Sequence, residues 1–305
     1  MSRTISMRAV LNGVVAAALC GSVFLSLAMR GDDAVEKTRL EKMLTPDSDG
    51  MVVAVFKRHP GQTLPFIDRY LEGGLAMIEK AGPSAQADSL ASFHTGIKFA
   101  ALADRAFGGT TFSDYANAFA SWSPSEQKSF RDGQRLFKAG MKAAADDPAK
   151  AKLLLQQSLA RAEALGDLWG KAMALGGLAE VCLKSGDAAS LGTAAGNSQY
   201  AADLYGELRL NEDRVQALRL NAKAHAARKL PWGERDALSM AWGIVSDNRS
   251  LDDALCAAVV EEYASALEAQ NQRDAATDIR QRYQEMQASK EDAEKASKPV
   301  DATKK

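Results

Sequence analysis

At 305 residues the chain has length for about two domains. Alanine supplies 56 residues, and the 249 residues after Phe56 hold only 6 Val, 5 Ile and 7 Thr, a balance that favours helices and argues against a sandwich, a barrel or a parallel-sheet enzyme. Hydrophobic residues make up 46% and charged residues 25%, which excludes general disorder, and a net charge of −1 gives no electrostatic footprint for nucleic acid.

The first element is Ala9–Met29, 21 residues without a charge between Arg8 and Arg30. As a helix it would span about 31 Å, close to the thickness of a hydrocarbon core, so a single-pass transmembrane helix is expected. Ser26-Leu27-Ala28 leaves a cleaved export signal as the alternative. The signal-like layout places the rest of the chain on the exported side of an inner membrane. The bare Lys/Arg count, with Arg30, Lys37, Arg39 and Lys42 after the run, leans toward the cytoplasm. Residues 1–30 are thus an anchor or signal, and 31–50 a charged stalk ending in turn-like residues.

Met51–Phe56 is the one run that could make a strand, but it has no second strand to pair with. A short helix stopped before Pro60 is the better reading. Ile67, Tyr70, Leu71, Leu75 and Ile78 share one face of a helix from about Gln62 to Ala81. Leu90, Phe93, Ile97 and Ala101 mark a second, ending at Phe107, and a third covers Phe112–Trp122. Together 51–122 read as a helical cap region. Ser123-Pro124-Ser125-Glu126 is a capping box with proline at the first helical position, and Asp147-Pro148 opens the next helix. Gly166-Asp167 and Gly186-Asp187 each join a left-handed helix end to an N-cap. Further helices are expected from Asp187 to Met286, opened near Asn211, Pro231 and Asp253. Residues 287–305 form a polar, disordered tail.

The chain matches itself at an offset of 45, which lays Ala172, Leu175 and Ala179 over Ala217, Leu220 and Ala224. A weaker match puts Ala179 over Ala264. Helix pairs recurring at a fixed period are the mark of a solenoid. Leu175–Asp187 resembles the first helix and turn of a long tetratricopeptide repeat. Leu178, Ala179 and Gly186-Asp187 fall where that family wants a large apolar residue, a small residue and the turn. Ala139, Ala151 and Ser158 fit its small-residue spacing. Cys182 stands where an aromatic is usual, and the copy at offset 45 puts Lys223 over Leu178. The resemblance implies an all-α fold of antiparallel helix pairs stacked as a right-handed solenoid over 123–286. It also implies that the first helix of each pair lines a concave groove.

No nucleophile elbow, zinc, redox or calcium motif occurs. Gly166–Ala172 fails as a phosphate loop in glycine spacing, in the residue after Lys171 and in lacking a preceding strand. His59, His94 and His225 have no partner at metal-ligand spacing, so neither a metal nor a cofactor is expected. Cys182 and Cys256 read as small buried hydrophobes, with a disulfide as the lesser alternative. Gly73-Gly74 and Gly176-Gly177, inside helices, point to close helix packing. Asn221, His225 and Arg228 fall at i, i+4 and i+7, flanked by Lys229. Glu180, Leu183 and Lys184 hold the equivalent places one pair earlier. These seven residues are the candidate partner-binding set, suited to a carboxylate or acidic segment. The expected function is a membrane-anchored, non-catalytic scaffold for a protein or peptide partner. The alternatives are a small-molecule pocket or enzyme site between 51–122 and the solenoid, and a self-associating structural subunit.

Overall fold

The computed structural model describes residues 48–297 except Arg249. The expected membrane anchor at Ala9–Met29 and nearly all of the stalk lie outside the described residues. Among the described residues there is no strand, and no helix is long and apolar enough to cross a membrane. The chain divides after Val55 into two compact units. Helix α1 (Asp49–Arg58) contains that boundary and takes up the Met51–Phe56 run as helix.

The second unit continues with α2 (Pro60–Ala81), a 3₁₀ turn, α3 (Gln86–Phe107) and α4 (Thr111–Ser121). Four helix pairs follow: α5 (Pro124–Ala143) with α6 (Pro148–Leu165), α7 (Leu168–Ser185) with α8 (Ala188–Glu207), α9 (Asn211–Ala227) with α10 (Pro231–Asp247), and α11 (Asp253–Ala269) with α12 (Arg273–Ser297). Each helix packs on the next in sequence order, and α5, α7 and α9 also meet one another across their intervening partners. This is an all-helical, repeat-like stack.

The caps explain where the helices start. Ser123 and Glu126 exchange both bonds of the capping box at α5. Asp147, Asp167, Asp187 and Asp252 accept backbone N–H groups of Lys150, Gly170, Ser190 and Leu255 at 2.9–3.0 Å, opening α6, α7, α8 and α11. Each satisfies a donor that a helix start otherwise leaves orphaned. The last helix does not stop near Met286. It continues to Ser297, and the Tyr283 hydroxyl (3.2 Å) and Lys290 ammonium (2.8 Å) tie it to Asp253.

The repeat register differs from the self-match at 45. The residues capping α5, α7, α9 and α11 are Ser123, Asp167, Leu210 and Asp252, so first helices begin 44, 43 and 42 positions apart. At an offset of 43, Ala172, Ala174, Leu175, Leu178, Ala179 and Val181 of α7 superpose on Val215, Ala217, Leu218, Asn221, Ala222 and Ala224 of α9, and all twelve are buried. The sequence match slipped because it set Gly166-Asp167 on Asn211-Glu212. The left-handed turn residue is in fact repeated at Gly166 (φ 66°), Gly186 (φ 72°), Arg209 (φ 59°), Lys229 (φ 57°) and Asn271 (φ 60°), and only two of the five are glycine.

Those non-glycine turns carry strain that L side chains meet at positive φ. Lys229 is exposed and, among the described residues, makes no hydrogen bond through its side chain. Lys229→Gly should therefore stabilise the fold by about 0.5–1 kcal/mol, a rise of about 1–4 °C in a thermal melt. Lys229→Val should lower the midpoint.

Within the second unit, residues 60–122 pack against the repeats. Helices α2 and α3 approach closely where Gly74 and Gly96 lie; a Cβ there would fall 2.7 Å from the Phe93 ring and 2.9 Å from Leu71. Gly177 is the equivalent close approach in α7, 2.8 Å from Met141 and 3.1 Å from Leu155. Gly73 and Gly176 have ordinary room. Phe56, Phe66 and Phe99 stack edge to face, Tyr70 lies edge to face with Phe66 and tilted against Phe99, and Phe119, Trp122 and Phe130 carry the aromatic core into α5. Trp122 Nε1 donates to Leu165 O at 3.3 Å. Helix α2 also reaches α9. It therefore lies as a strap against the start of the stack.

Candidate functional site

Two clusters of charged side chains stand out. The first is the strap. Asp68, Glu72 and Glu79 fall at i, i+4 and i+11, one face of α2. Arg131 of α5 binds Glu72 and also grips Glu79 through Nε at 2.8 Å and Nη2 at 3.2 Å. Gln134 donates to Glu72 at 2.6 Å and accepts from Arg131 at 3.0 Å. Asp68 accepts the Tyr115 hydroxyl of α4 at 2.7 Å. Asp167, the N-cap of α7, lies within electrostatic reach of both Asp68 and Tyr115.

Crowding acids away from water favours their protonated forms. Burial first, then Glu72, pushes Asp68 up to about 8, against the pull of the Tyr115 bond and Arg131. Burial and Glu72 raise Asp167 to about 6, although its bonds to the α7 backbone oppose this. Tyr115 is pushed well above the usual phenol range by burial and by Asp68.

The second cluster crosses the first helices of three pairs. Arg219 of α9 forms a two-pronged pair with Glu262 of α11 at 2.7 and 2.8 Å and bonds Gln216 at 3.1 Å. Lys223, one turn further on, lies 3.6 Å from the same Glu262. Glu180 of α7 is half-buried and held up by burial, with Lys184 and Lys223 pulling it down. Glu180, Lys184, Lys223, Glu262 and Arg219 thus form a row of mixed charge over α7, α9 and α11. In the register of 43, Glu180 and Lys223 are the same position.

The sequence-based set divides along this row. Glu180 and exposed Lys184 belong to it. Leu183 is half-buried and packs on the cluster of Cys182, Ala194, Ala195 and Ala224. Asn221 is 4% exposed, and its amide bonds Ala195 O at 2.7 Å and Ser198 Oγ at 3.3 Å, so it faces α8. His225 packs on Gly233 of α10, where a Cβ would fall 2.6 Å from its ring, and burial followed by Arg228 pushes its pKa down. Arg228 ends α9 and Lys229 occupies the left-handed turn. Asn221, His225 and Arg228 therefore do not form one surface. A helix with neighbours on both sides buries residues that an isolated helix wheel presents together. Arg219 and Glu262 escaped notice because they lie 43 positions apart. Lys223 was visible only as a departure from Leu178.

Cys182 and Cys256 are both buried free thiols; burial raises Cys182, and burial followed by Asp253 raises Cys256 to about 11. Among the described residues no three His, Cys, Asp or Glu side chains are placed to hold a metal ion. No family model, curated protein or solved structure matches the chain. The class is therefore defined by geometry alone: an all-helical, repeat-like stack whose first helices share a mixed-charge face.

Proposed function

We propose that this chain is a non-catalytic, degenerate tetratricopeptide-like scaffold that holds a protein or peptide partner. It would be tethered through Ala9–Met29 with its repeats on the exported side of the membrane. The observation that carries the reading is the mixed-charge row Glu180, Lys184, Lys223, Glu262 and Arg219, laid across three successive first helices. Charged groups repeated across neighbouring repeats give a partner both register and orientation. A catalytic reading would use the raised carboxylates at the strap. Asp68 is instead engaged by Tyr115, and Asp167 by the α7 backbone.

The test is photo-crosslinking of the full-length chain in its native membranes. A crosslinking amino acid replaces Lys184 in one version and exposed Leu153 on α6 in another. Discrete adducts are expected from position 184 and not from 153. Lys223→Glu, which sets a third acid beside Glu180 and Glu262, should reduce those adducts by about tenfold or more. Equal adducts from both positions, or adducts indifferent to Lys223→Glu, would remove the assignment.

A further inference from the structure

The face of α5 beside the strap carries Lys128, Arg131, Arg135, Lys138 and Lys142, spaced by three, four, three and four residues. That spacing keeps all five on one stripe, about 21 Å long at 1.5 Å per residue. The core of α5 is elsewhere, at Phe130, Gly133, Phe137 and Gly140. Lys128, Arg135, Lys138 and Lys142 are exposed. Among the described residues Lys128, Lys138 and Lys142 have no carboxylate within ion-pair distance, and Arg135 has only its neighbour Asp132. Glu79 of α2 and Gln127, Lys128, Arg131, Arg135 and Lys138 of α5 line an open groove along this stripe. In a chain of net charge −1 the stripe is a local concentration of one sign.

One position on it shows what it accepts. Arg131 is occupied by Glu72 and Glu79, carboxylates two turns apart on one helix face. Helix α2 ends at Ala81 and, among the described residues, leaves Lys128, Lys138 and Lys142 without a carboxylate and Arg135 with Asp132 alone. We infer that this stripe of α5 docks an acidic helical segment of a partner protein, with carboxylates repeating along one face as they do on α2, alongside the strap. The four exposed cations, Lys128, Arg135, Lys138 and Lys142, in line with such carboxylates supply attraction and register, and the attraction weakens with salt. The surface is separate from the row on α7, α9 and α11. It shares with the proposed function only the premise that the chain is a binding protein.

The experiment uses the full-length chain in detergent and a fluorescein-labelled synthetic helix of about 18 residues, long enough to be helical. Its glutamates repeat at three and four residues in an Ala/Gln background. A scrambled peptide of the same composition is the control, and binding is read by fluorescence anisotropy. The patterned peptide should bind about tenfold more tightly than the scrambled one, and raising NaCl from about 0.05 to 0.3 M should weaken it. The double variant Arg135→Gln/Lys138→Gln should lose about tenfold, while Arg282→Gln on α12, an exposed side chain outside both surfaces, should stay within about twofold. Both altered side chains are exposed, and an unchanged thermal melt confirms the fold of the variant. Equal binding of the two peptides, or full binding by the double variant, overturns the inference. So does tighter binding of single-stranded DNA or of anionic vesicles that the same double variant abolishes, because the stripe would then be a general polyanion surface.

Discussion

Asp68→Asn should leave the protein's stability nearly unchanged at about pH 3.5 and raise it increasingly as the pH climbs to about 8.5. In the fold the Asp68 carboxyl holds its proton up to about pH 8; in the unfolded chain it releases it near the ordinary value of 3.8. Between those limits the folded state binds a proton that the unfolded state lacks. Stability therefore falls as pH rises through that window and levels off above it. Asp167, at about 6, adds to the fall between about pH 4 and 6, as does Asp213, raised to about 6 by burial and then by Glu212. Asparagine imitates the protonated acid at every pH. Its carbonyl oxygen can still accept the Tyr115 hydroxyl, which now lies 2.7 Å from Asp68. Allowing for partial solvation, wild type and variant should separate by about 2 kcal/mol at alkaline pH, or about 4–8 °C in a melt of a chain this size. Melts at three pH values decide it. Curves that run parallel from acid to alkaline would show that Asp68 is already ionised in the fold.

This acid cluster marks where sequence reasoning ran out. Local chemistry was legible: the Ser123–Glu126 box and the caps at Asp147, Asp167 and Asp187 depend on residues three apart, and each lies where the pattern put it. The helical content was equally plain from a chain rich in alanine and poor in β-branched residues. Register was not, because the left-handed turn residue changes from Gly166 to Arg209 and Lys229, and the positive φ that defines it leaves no signature in an arginine or a lysine. Two residues of slip were enough to set Lys223 over Leu178 and to hide that Lys223 matches Glu180. The strap was hidden for a different reason. Asp68, Glu72 and Glu79 look like an ordinary solvated face until α4, α5 and the turn before α7 are brought against them. Their partners lie 47 positions away at Tyr115, and 59 and 52 positions away at Arg131.

Arg131→Met should destabilise the fold by about 2–3 kcal/mol, more at high pH than at low. The methionine keeps apolar bulk against the Phe130 ring, over which the guanidinium now sits at 5.5 Å. What is lost is the cation that binds Glu72, Glu79 and Gln134 at once and draws down Asp68. Breaking one side of a buried ionic network costs about 3–5 kcal/mol, and the Arg131 side chain is 25% exposed, which reduces that figure. The sign of the pH effect follows from Asp68. With Arg131 gone the carboxyl is driven still higher, so the folded state holds its proton over a wider window and the fall with pH runs further. A double-mutant cycle isolates the cause. Glu72→Gln removes the carboxylate that most burdens Asp68 after burial itself, so in that background Arg131→Met should cost about 1–2 kcal/mol less. If the two substitutions were simply additive, Arg131 would be acting through packing alone, and α2 would be held to α5 by its aromatic contacts and not by charge.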